Sequence, residues 1–114
     1  MVAKIKNLND NQLKAIETFI TRVKQKYTLA EAIAFGSAIS GRAEEGSDLD
    51  ILVVTEYKLN HRDRHCIQNI STETNWEFDT NISPTIVDRE NWEHGMYSLL
   101  LIKDEVDRDG VSIY

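Results

Sequence analysis

Two short apolar runs separated by a polar, glycine-bearing loop constrain this chain more than any other stretch. The segment 32–54 reads AIAFGSAISGRAEEGSDLDILVV. One apolar run ends at Phe35 and the other starts near Leu49, and each has the length of a strand rather than of a helix. The pattern predicts a strand, a loop and a second strand, so a β-sheet must form part of the fold.

The second predicted strand begins with two acids, Asp48 and Asp50. Because side chains alternate between the faces of a strand, these carboxylates point the same way, about 6–7 Å apart along the backbone. They repel each other unless a cation lies between them. Magnesium is the expected cation, since it prefers carboxylate oxygens and shares its coordination shell with substrate phosphates.

Gly36 and Ser37 form the turn that directly follows the first predicted strand. Glycine allows a ligand to approach the backbone closely, and the serine offers a hydroxyl and an N–H to a phosphate oxygen. A short helix predicted from Ala38 would place these amides at its positive end. Arg42 could contact a phosphate from the loop, although a solvated surface arginine fits the sequence equally well. A phosphate-binding turn followed by a metal-binding pair is typical of a nucleoside triphosphate site.

This spacing resembles a known signature. Gly36-Ser37, ten further residues and then Asp48-Leu49-Asp50 are similar to the G-S-x(10)-D-x-D motif of the DNA polymerase β-like nucleotidyltransferase superfamily. Gly41 and Ser47 also lie where that motif commonly has glycine and serine. Within the superfamily, the short chain resembles the minimal nucleotidyltransferases (MNT), which are the antitoxin partners of HEPN-domain toxins.

The resemblance implies a reaction and its participants. AMP would be transferred from ATP to a hydroxyl, with two magnesium ions held by Asp48, Asp50 and a third carboxylate. The nucleotide would be bound by Gly36, Ser37, Arg42 and Ser47. The acceptor implied by the MNT resemblance is a tyrosine of a HEPN ribonuclease toxin, which adenylylation would silence.

The third carboxylate is expected on the strand that follows. Residues 76–83 alternate apolar and polar side chains, which predicts a half-buried strand ended by Pro84. Superfamily members of this kind carry a catalytic acid on that strand. Asp79 is the best match, and Glu77 on the same face is the alternative.

The remaining patterns complete the expected fold. We predict an α/β chain of the α+β type, with a mixed sheet of about four strands, helices packed mainly on one face, a nucleotidyltransferase palm-like core and a single domain over residues 1–114. Helix starts are predicted where a polar side chain can cap the first turn, at Asn9, Asn60 and Asp88. The last helix is expected to run to about Arg108 and to be followed by a closing strand at residues 111–114.

Composition indicates which substrates the protein can bind and in which compartment it works. Nineteen acids against 13 bases give a net charge of −6, which disfavours a nucleic-acid substrate. No apolar run approaches the ~20 residues that a membrane span needs. A single cysteine, Cys66, and a start without the apolar centre of a secretion signal predict a cytoplasmic protein.

Four alternatives stay open at this stage. His61 and His65 lie one helical turn apart, as two metal ligands would, but no second cluster completes such a site, and we interpret this helix as a surface for a partner. The acceptor could be a small hydroxyl compound, as in the similar aminoglycoside nucleotidyltransferases, which carry an additional domain. The chain could also inhibit a partner by binding alone, and a homodimer could supply the acceptor across its interface.

Overall fold

The computed structural model describes residues 5–41, 48–96 and 100–114. Helices and strands alternate along these residues, except near the end, where two helices follow each other. In chain order they are α1 (Asp10–Lys24), β1 (Leu29–Phe35), α2 (Ser37–Ser40), β2 (Leu49–Thr55), α3 (His61–Phe78), β3 (Ile82–Asp88), α4 (Arg89–His94), α5 (Leu101–Asp109) and β4 (Val111–Ser112).

The four strands form one mixed sheet in the order β3-β2-β1-β4. The strand β1 is antiparallel to both of its neighbours, whereas β2 and β3 are parallel. Phe35 pairs with Asp50 across β1 and β2, and Leu49 pairs with Ile82 across β2 and β3. The predicted fold class, with about four strands in a mixed sheet, is confirmed.

Helices cover the two faces of the sheet unequally. The two longest helices, α1 and α3, pack on one face, where Ile16, Phe19 and Ile67 are fully buried. The other face carries α4 and α5, which contribute Trp92 and Val106 to a smaller apolar cluster. In the described part of the chain, no helix is both long and apolar enough to cross a bilayer.

The predicted helix caps all form. The Asn9 side chain accepts a hydrogen bond from the N–H of Gln12, and the Gln12 side chain accepts one from the N–H of Asn9, which is a capping box. Asn60 caps α3, and Asp88 caps α4. These local signals therefore fix where three helices begin.

The strand predicted over residues 76–83 is wrong. The helix α3 continues to Phe78, and the next strand begins only at Ile82. Helical spacing explains the difference, because Ile67, Ile70, Ser71 and Thr74 are buried on one side of α3 while Trp76 is 91% exposed. Pro84 does not end a strand either, since it lies inside β3.

Pro84 fits inside β3 because this strand is at the edge of the sheet, where its missing N–H breaks no pairing. Side chains of α3 close the same edge. Asn75 donates to the carbonyl of Ile82 and accepts from its N–H, at 3.0 and 2.7 Å. The carbonyls of the next outward-facing residues, Pro84 and Ile86, accept from Gln68 and Arg64 respectively. The helix α3 thus occupies hydrogen-bonding groups that an edge strand usually exposes.

The single helix predicted from Asp88 to about Arg108 is also wrong, because α4 ends at His94 and α5 starts at Leu101. Gly95 closes α4, and its own N–H bonds to the carbonyl of Asn91. A side chain at this position would lie 2.7–2.8 Å from atoms of Asn91. The predicted closing strand is confirmed as β4, which pairs with β1.

Candidate active site

The hairpin of β1 and β2 brings the two halves of the sequence motif together. Because Phe35 pairs with Asp50, the chain leaves β1 at Gly36 directly beside the Asp50 carboxylate. Gly36 has a φ of +88°, and a methyl group added there would collide with Oδ2 of Asp50. The position therefore needs glycine both for its backbone conformation and for the close approach of an acid.

The predicted short helix forms as α2, and it begins at Ser37, one residue before the predicted start at Ala38. The N–H groups of Ile39 and Ser40 both bond to the carbonyl of Gly36 at 3.1 Å, which fixes the turn. Ala38 and Ile39 are buried and hold α2 against the sheet, whereas the Ser37 side chain is exposed. The Ser37 hydroxyl is therefore open to solvent directly after the glycine that lies against Asp50.

The two acids of the motif lie at the start of β2. Asp48 is exposed, and the N–H of the next residue, Leu49, bonds to the carbonyl of Asn81 at 2.8 Å. Partial burial raises the pKa of Asp50, and the negative charges of Asp48 and then of Glu105 raise it further. Negative charge of the described residues is thus concentrated at this end of the sheet.

This chemistry fits a divalent cation. Among the described residues, no lysine, arginine or histidine forms an ion pair with Asp48 or Asp50. A cation between them would relieve the repulsion that raises the pKa of Asp50. Over residues 5–41, 48–96 and 100–114, however, no three His, Cys, Asp or Glu side chains are grouped closely enough to hold a metal. Two carboxylates with substrate phosphates completing the shell are a usual arrangement for magnesium.

The two candidates for the third carboxylate do not lie on a strand. Asp79 is the C-cap of α3, in the left-handed conformation with a φ of +53°, and its side chain is exposed. Glu77 lies in the last turn of α3 and forms a 2.7 Å ion pair with Arg22 of α1. The mid-strand placement that favoured Asp79 is wrong, and its catalytic role stays a prediction. Arg42 and Ser47 lie outside the described residues.

The structure adds one residue that the sequence did not single out. Glu105, an exposed residue of α5, is close enough for its charge to raise the pKa of Asp50. Its neighbour Val106 is buried against the sheet face that carries Asp50. No local pattern distinguishes Glu105 from Asp104 or Asp107, so only the packing of α5 could reveal it.

Among the described residues, His61 and His65 are not grouped with a third possible metal ligand. They line a shallow cavity of about 370 Å³ between α3 and the edge strand, together with Arg64, Gln68 and Pro84. The same helix contributes the hydrogen bonds that close β3. Polar side chains of α3 therefore have a structural role, because they form hydrogen bonds to the edge strand β3.

With this geometry established, sequence comparison identifies the family. Residues 16–107 match the nucleotidyltransferase domain family, and the chain belongs to it. The match spans both halves of the motif and extends into α5. It confirms the resemblance drawn from Gly36, Ser37, Asp48 and Asp50.

One curated relative and several solved structures are similar to the chain. A protein of Methanocaldococcus jannaschii, provisionally named a protein adenylyltransferase, is 36% identical over 77 residues, which are 64% of this chain and 52% of that protein. The match thus spans about half the length of the relative.

Among solved structures, a chain of a toxin-antitoxin complex with AMP-PNP superposes with a TM-score of 0.60 at 18% identity, over 93% of this chain and 73% of its own. A complex of a tri-AMPylated HEPN toxin from Shewanella oneidensis with its MNT antitoxin gives 0.51 at 19% identity, over 91% and 71% of the two chains. At these identities the likeness shows a shared fold.

Proposed function

We propose that this chain is a magnesium-dependent nucleotidyltransferase that transfers AMP from ATP to a tyrosine hydroxyl of a HEPN-domain toxin. The observation that carries the proposal is the contact between Gly36 and the Asp50 carboxylate. It supports the proposal because the turn that we expect to bind phosphate lies against the acid that we expect to bind the cation, and the two parts come from adjacent strands. The family membership of the chain supports the same reaction.

In this proposal, Asp48 and Asp50 hold magnesium, while Gly36 and Ser37 bind the terminal phosphates of ATP. Magnesium would withdraw charge from the α-phosphate and neutralise the departing pyrophosphate. Ser37 keeps the phosphates in line with the incoming hydroxyl, so the geometry of displacement is set before reaction. Arg42 and Ser47 belong to the proposed nucleotide site on the strength of the motif alone.

The transfer forms one bond and breaks one. The acceptor oxygen attacks the α-phosphorus, the bond from that phosphorus to the oxygen bridging to the β-phosphate breaks, and pyrophosphate leaves. The hydroxyl proton passes to a base or to water. The product is an AMP ester of the acceptor.

The choice of a protein acceptor rests on two findings about similar proteins. The relative from M. jannaschii carries the name of a protein adenylyltransferase, and a complex with the same fold contains an AMPylated HEPN toxin. The net charge of −6 also opposes a nucleic-acid acceptor. Each of these observations supports a protein partner.

The test is the intact mass of the neighbouring gene product after incubation with this chain, ATP and magnesium. We expect the mass to rise by one or more AMP units, and Asp48→Ala should abolish the rise. Glu73→Ala, which alters an exposed acid of α3 away from the motif, is the matched control and should leave the rise intact.

The other outcomes separate the alternatives. A tight complex without a mass shift would contradict catalysis and favour inhibition by binding. If neither a shift nor a complex is found, the acceptor is a small hydroxyl compound or another protein, and the HEPN assignment fails.

A further inference from the structure

Two cavities follow each other along the outer side of helix α3, beside the edge strand β3. The first, of about 370 Å³, is lined by His61, Arg64, His65 and Gln68 of α3 and by the middle of β3. The second, of about 580 Å³, is lined by Thr72, Asn75, Trp76, Asp79 and Thr80. Gln68 and Thr72 lie one helical turn apart on the same side of α3, so the cavities are neighbours. We call this surface the α3 flank.

The first cavity is basic, although the chain as a whole is acidic. Within the described part of the chain, no aspartate or glutamate lines it. Asp63, the acid in the first turn of α3, faces away from it, since it accepts a hydrogen bond from the Tyr27 hydroxyl at 3.2 Å. Arg64 donates to the carbonyl of Ile86 at 2.9 Å and forms no ion pair with any described residue. In a chain with a net charge of −6, this cavity is complementary to acidic groups.

The two histidines of this cavity have no structural role that the described residues reveal. Arg64 and Gln68 bond to the carbonyls of β3, whereas neither His61 nor His65 forms a hydrogen bond or ion pair with a described residue. Both side chains are exposed. An imidazole carries an N–H donor in either protonation state. The cavity therefore offers two imidazole donors next to a guanidinium, a combination that suits carboxylates.

Trp76 provides an apolar contact in the second cavity. Its side chain is 91% exposed, so nearly the whole indole surface lies in water. Tryptophan is enriched among the residues that contribute most to protein–protein binding. The preceding residue, Asn75, bonds to Ile82, which pairs with Leu49, the residue after Asp48. Trp76 thus lies at the end of the sheet that carries the acids of the motif.

We propose that the acceptor protein docks along the α3 flank, with acidic side chains against His61, Arg64 and His65 and an apolar side chain against Trp76. The inference rests on the proposed function, because it names the surface that brings the acceptor hydroxyl to the end of the sheet with Asp48. Between residues 65 and 76 the helix rises by roughly 16 Å. The partner must therefore present its acidic and apolar groups at about that separation.

A polynucleotide fits the α3 flank less well than a protein does. Successive phosphates need cations along the whole path. Of the described residues, however, no lysine or arginine lines the cavity around Trp76, and the acid Asp79 does. A protein surface can change from acidic to apolar over this distance, as the α3 flank requires.

The experiment measures the affinity of the purified full chain for the neighbouring gene product by isothermal titration calorimetry, without nucleotide. His65→Glu should weaken binding by about tenfold, because a carboxylate replaces a donor that faces the acids of the partner. Trp76→Ala should weaken it by about tenfold to 100-fold, the effect of removing a central aromatic contact. Both substitutions change exposed positions of a helix, so the fold should be retained, and the melting temperature checks this.

Two variants serve as matched controls. Arg62→Glu reverses a charge in the first turn of α3 at an exposed position that does not line the cavity. Leu101→Ala removes an apolar side chain that is 80% exposed, on a helix that covers the other face of the sheet. Each should change the affinity by less than about twofold.

A salt titration tests the acidic contact separately. Raising the ionic strength from about 0.05 M to about 0.5 M should weaken binding by the parent protein more than binding by His65→Glu, since salt screens the attraction that the variant has lost. The same dependence on salt in both proteins would contradict charge complementarity at this cavity.

The remaining outcomes distinguish failure of the docking surface from failure of the proposed reaction. AMP transfer to the partner with unchanged affinity in His65→Glu and Trp76→Ala would overturn the docking surface and leave the reaction standing. Weakened binding in both variants without AMP transfer by the parent protein would support the docking surface and overturn the reaction. Equal weakening by Arg62→Glu would show an effect of net charge and overturn the acidic contact. Competition by an oligouridylate would assign the basic cavity to nucleic acid, and the absence of any complex would reject both the docking surface and the acceptor.

Discussion

At Gly36, a left-handed backbone and a missing side chain together allow the Asp50 carboxylate to lie against the main chain. Gly36→Ala should therefore lower the free energy of unfolding by about 1–3 kcal/mol, the cost of forcing a side chain into this conformation. It should also reduce AMP transfer by about 100-fold, because the added methyl displaces a metal-binding acid. Urea denaturation and the mass assay measure the two effects.

Gly41→Ala is the comparison that separates backbone strain from displacement of the acid. Gly41 also has a positive φ, +84°, but a methyl there would lie 3.2 Å from the side-chain nitrogen of Asn7. Its loss of stability should be similar, while AMP transfer should fall far less than in Gly36→Ala. Equal loss of AMP transfer in the two variants would contradict the role assigned to the contact with Asp50.

The raised pKa of Asp50 has a consequence for stability. The ionised form of Asp50 is less favourable in the folded chain than in the unfolded chain, so its ionisation lowers the free energy of unfolding. This loss of stability is absent below the unfolded pKa, near 3.9, and complete above the folded pKa. Asp50→Asn should thus raise the melting temperature of the metal-free protein at pH 7 by about 2–5 °C. The gain should disappear as the pH falls towards 4. Differential scanning fluorimetry in EDTA measures it, and a gain independent of pH would show that ionisation of Asp50 is not its cause.

The sequence predicted the residues of the site that lie on the β1–β2 hairpin, but not the residues that other elements bring near it. Gly36, Ser37, Asp48 and Asp50 were recognisable because two strands joined by a loop place their ends together. Glu105 was not recognisable, since its position depends on how α5 packs across the sheet. Asp79 was predicted on a strand because apolar and polar residues alternate over residues 76–83. The alternation arose by chance, since Trp76 is an exposed residue of a helix and not part of a buried strand face.

Among the elements, the start of strand β3 is stabilised by the side chain of Asn75 in α3. Asn75 bonds to both the N–H and the carbonyl of Ile82 and accepts from the Thr80 hydroxyl. Asn75→Ala would leave these backbone groups without their partner, so we expect a loss of about 1–3 kcal/mol in the free energy of unfolding. The exchange of the Ile82 amide hydrogen should accelerate as well. Thr72→Ala, on the exposed side of the same helix, should change stability by less than about 0.5 kcal/mol.

Helix α4 depends on its cap at Asp88. Burial alone raises the pKa of Asp88, but hydrogen bonds from the side chain and N–H of Asn91 outweigh it, with help from Lys58, so the pKa is lowered. A lowered pKa stabilises the fold above the unfolded pKa, and this contribution is lost as the pH falls through the folded pKa. Asp88→Ala should cost about 1 kcal/mol at pH 7 and less at low pH.

Asp88→Asn provides the control for charge, because asparagine also caps helices but does not titrate. It should retain most of the stability at pH 7 and show no pH-dependent loss from this position. Urea denaturation between pH 7 and pH 3 measures both variants. Identical pH profiles for Asp88→Asn and the parent protein would contradict the assignment.

Element boundaries were predictable where a local side chain defines them and not where tertiary contacts do. The caps at Asn9, Asn60 and Asp88 depend on residues three positions apart, which the sequence displays. The end of α3 depends on buried contacts of Ser71 and Thr74 and on the bonds between Asn75 and β3. The gap between α4 and α5 follows from Gly95, whose position leaves no room for a side chain.

At the scale of the whole molecule, a net charge of −6 and an acidic site oppose the binding of free ATP. We expect ATP with magnesium to raise the melting temperature, with a stabilisation of about 2.7 kcal/mol when the ligand is at 100 times its dissociation constant. ATP in EDTA should give little shift. Asp48→Asn should abolish the part of the rise in melting temperature that depends on magnesium. An equal rise with and without magnesium would show that the cation does not mediate nucleotide binding.

The sheet itself limits how this protein can assemble with others. An open edge strand can pair with the backbone of almost any extended chain, which leads to fibrils and to indiscriminate dimers. At β3, Arg64, Gln68 and Asn75 already satisfy the outward carbonyls, and Pro84 offers no N–H. A strand added at β3 would find these carbonyls already bonded, so a partner that binds at this edge must be recognised through side chains. The helix α3 thus makes backbone pairing at the β3 edge unfavourable.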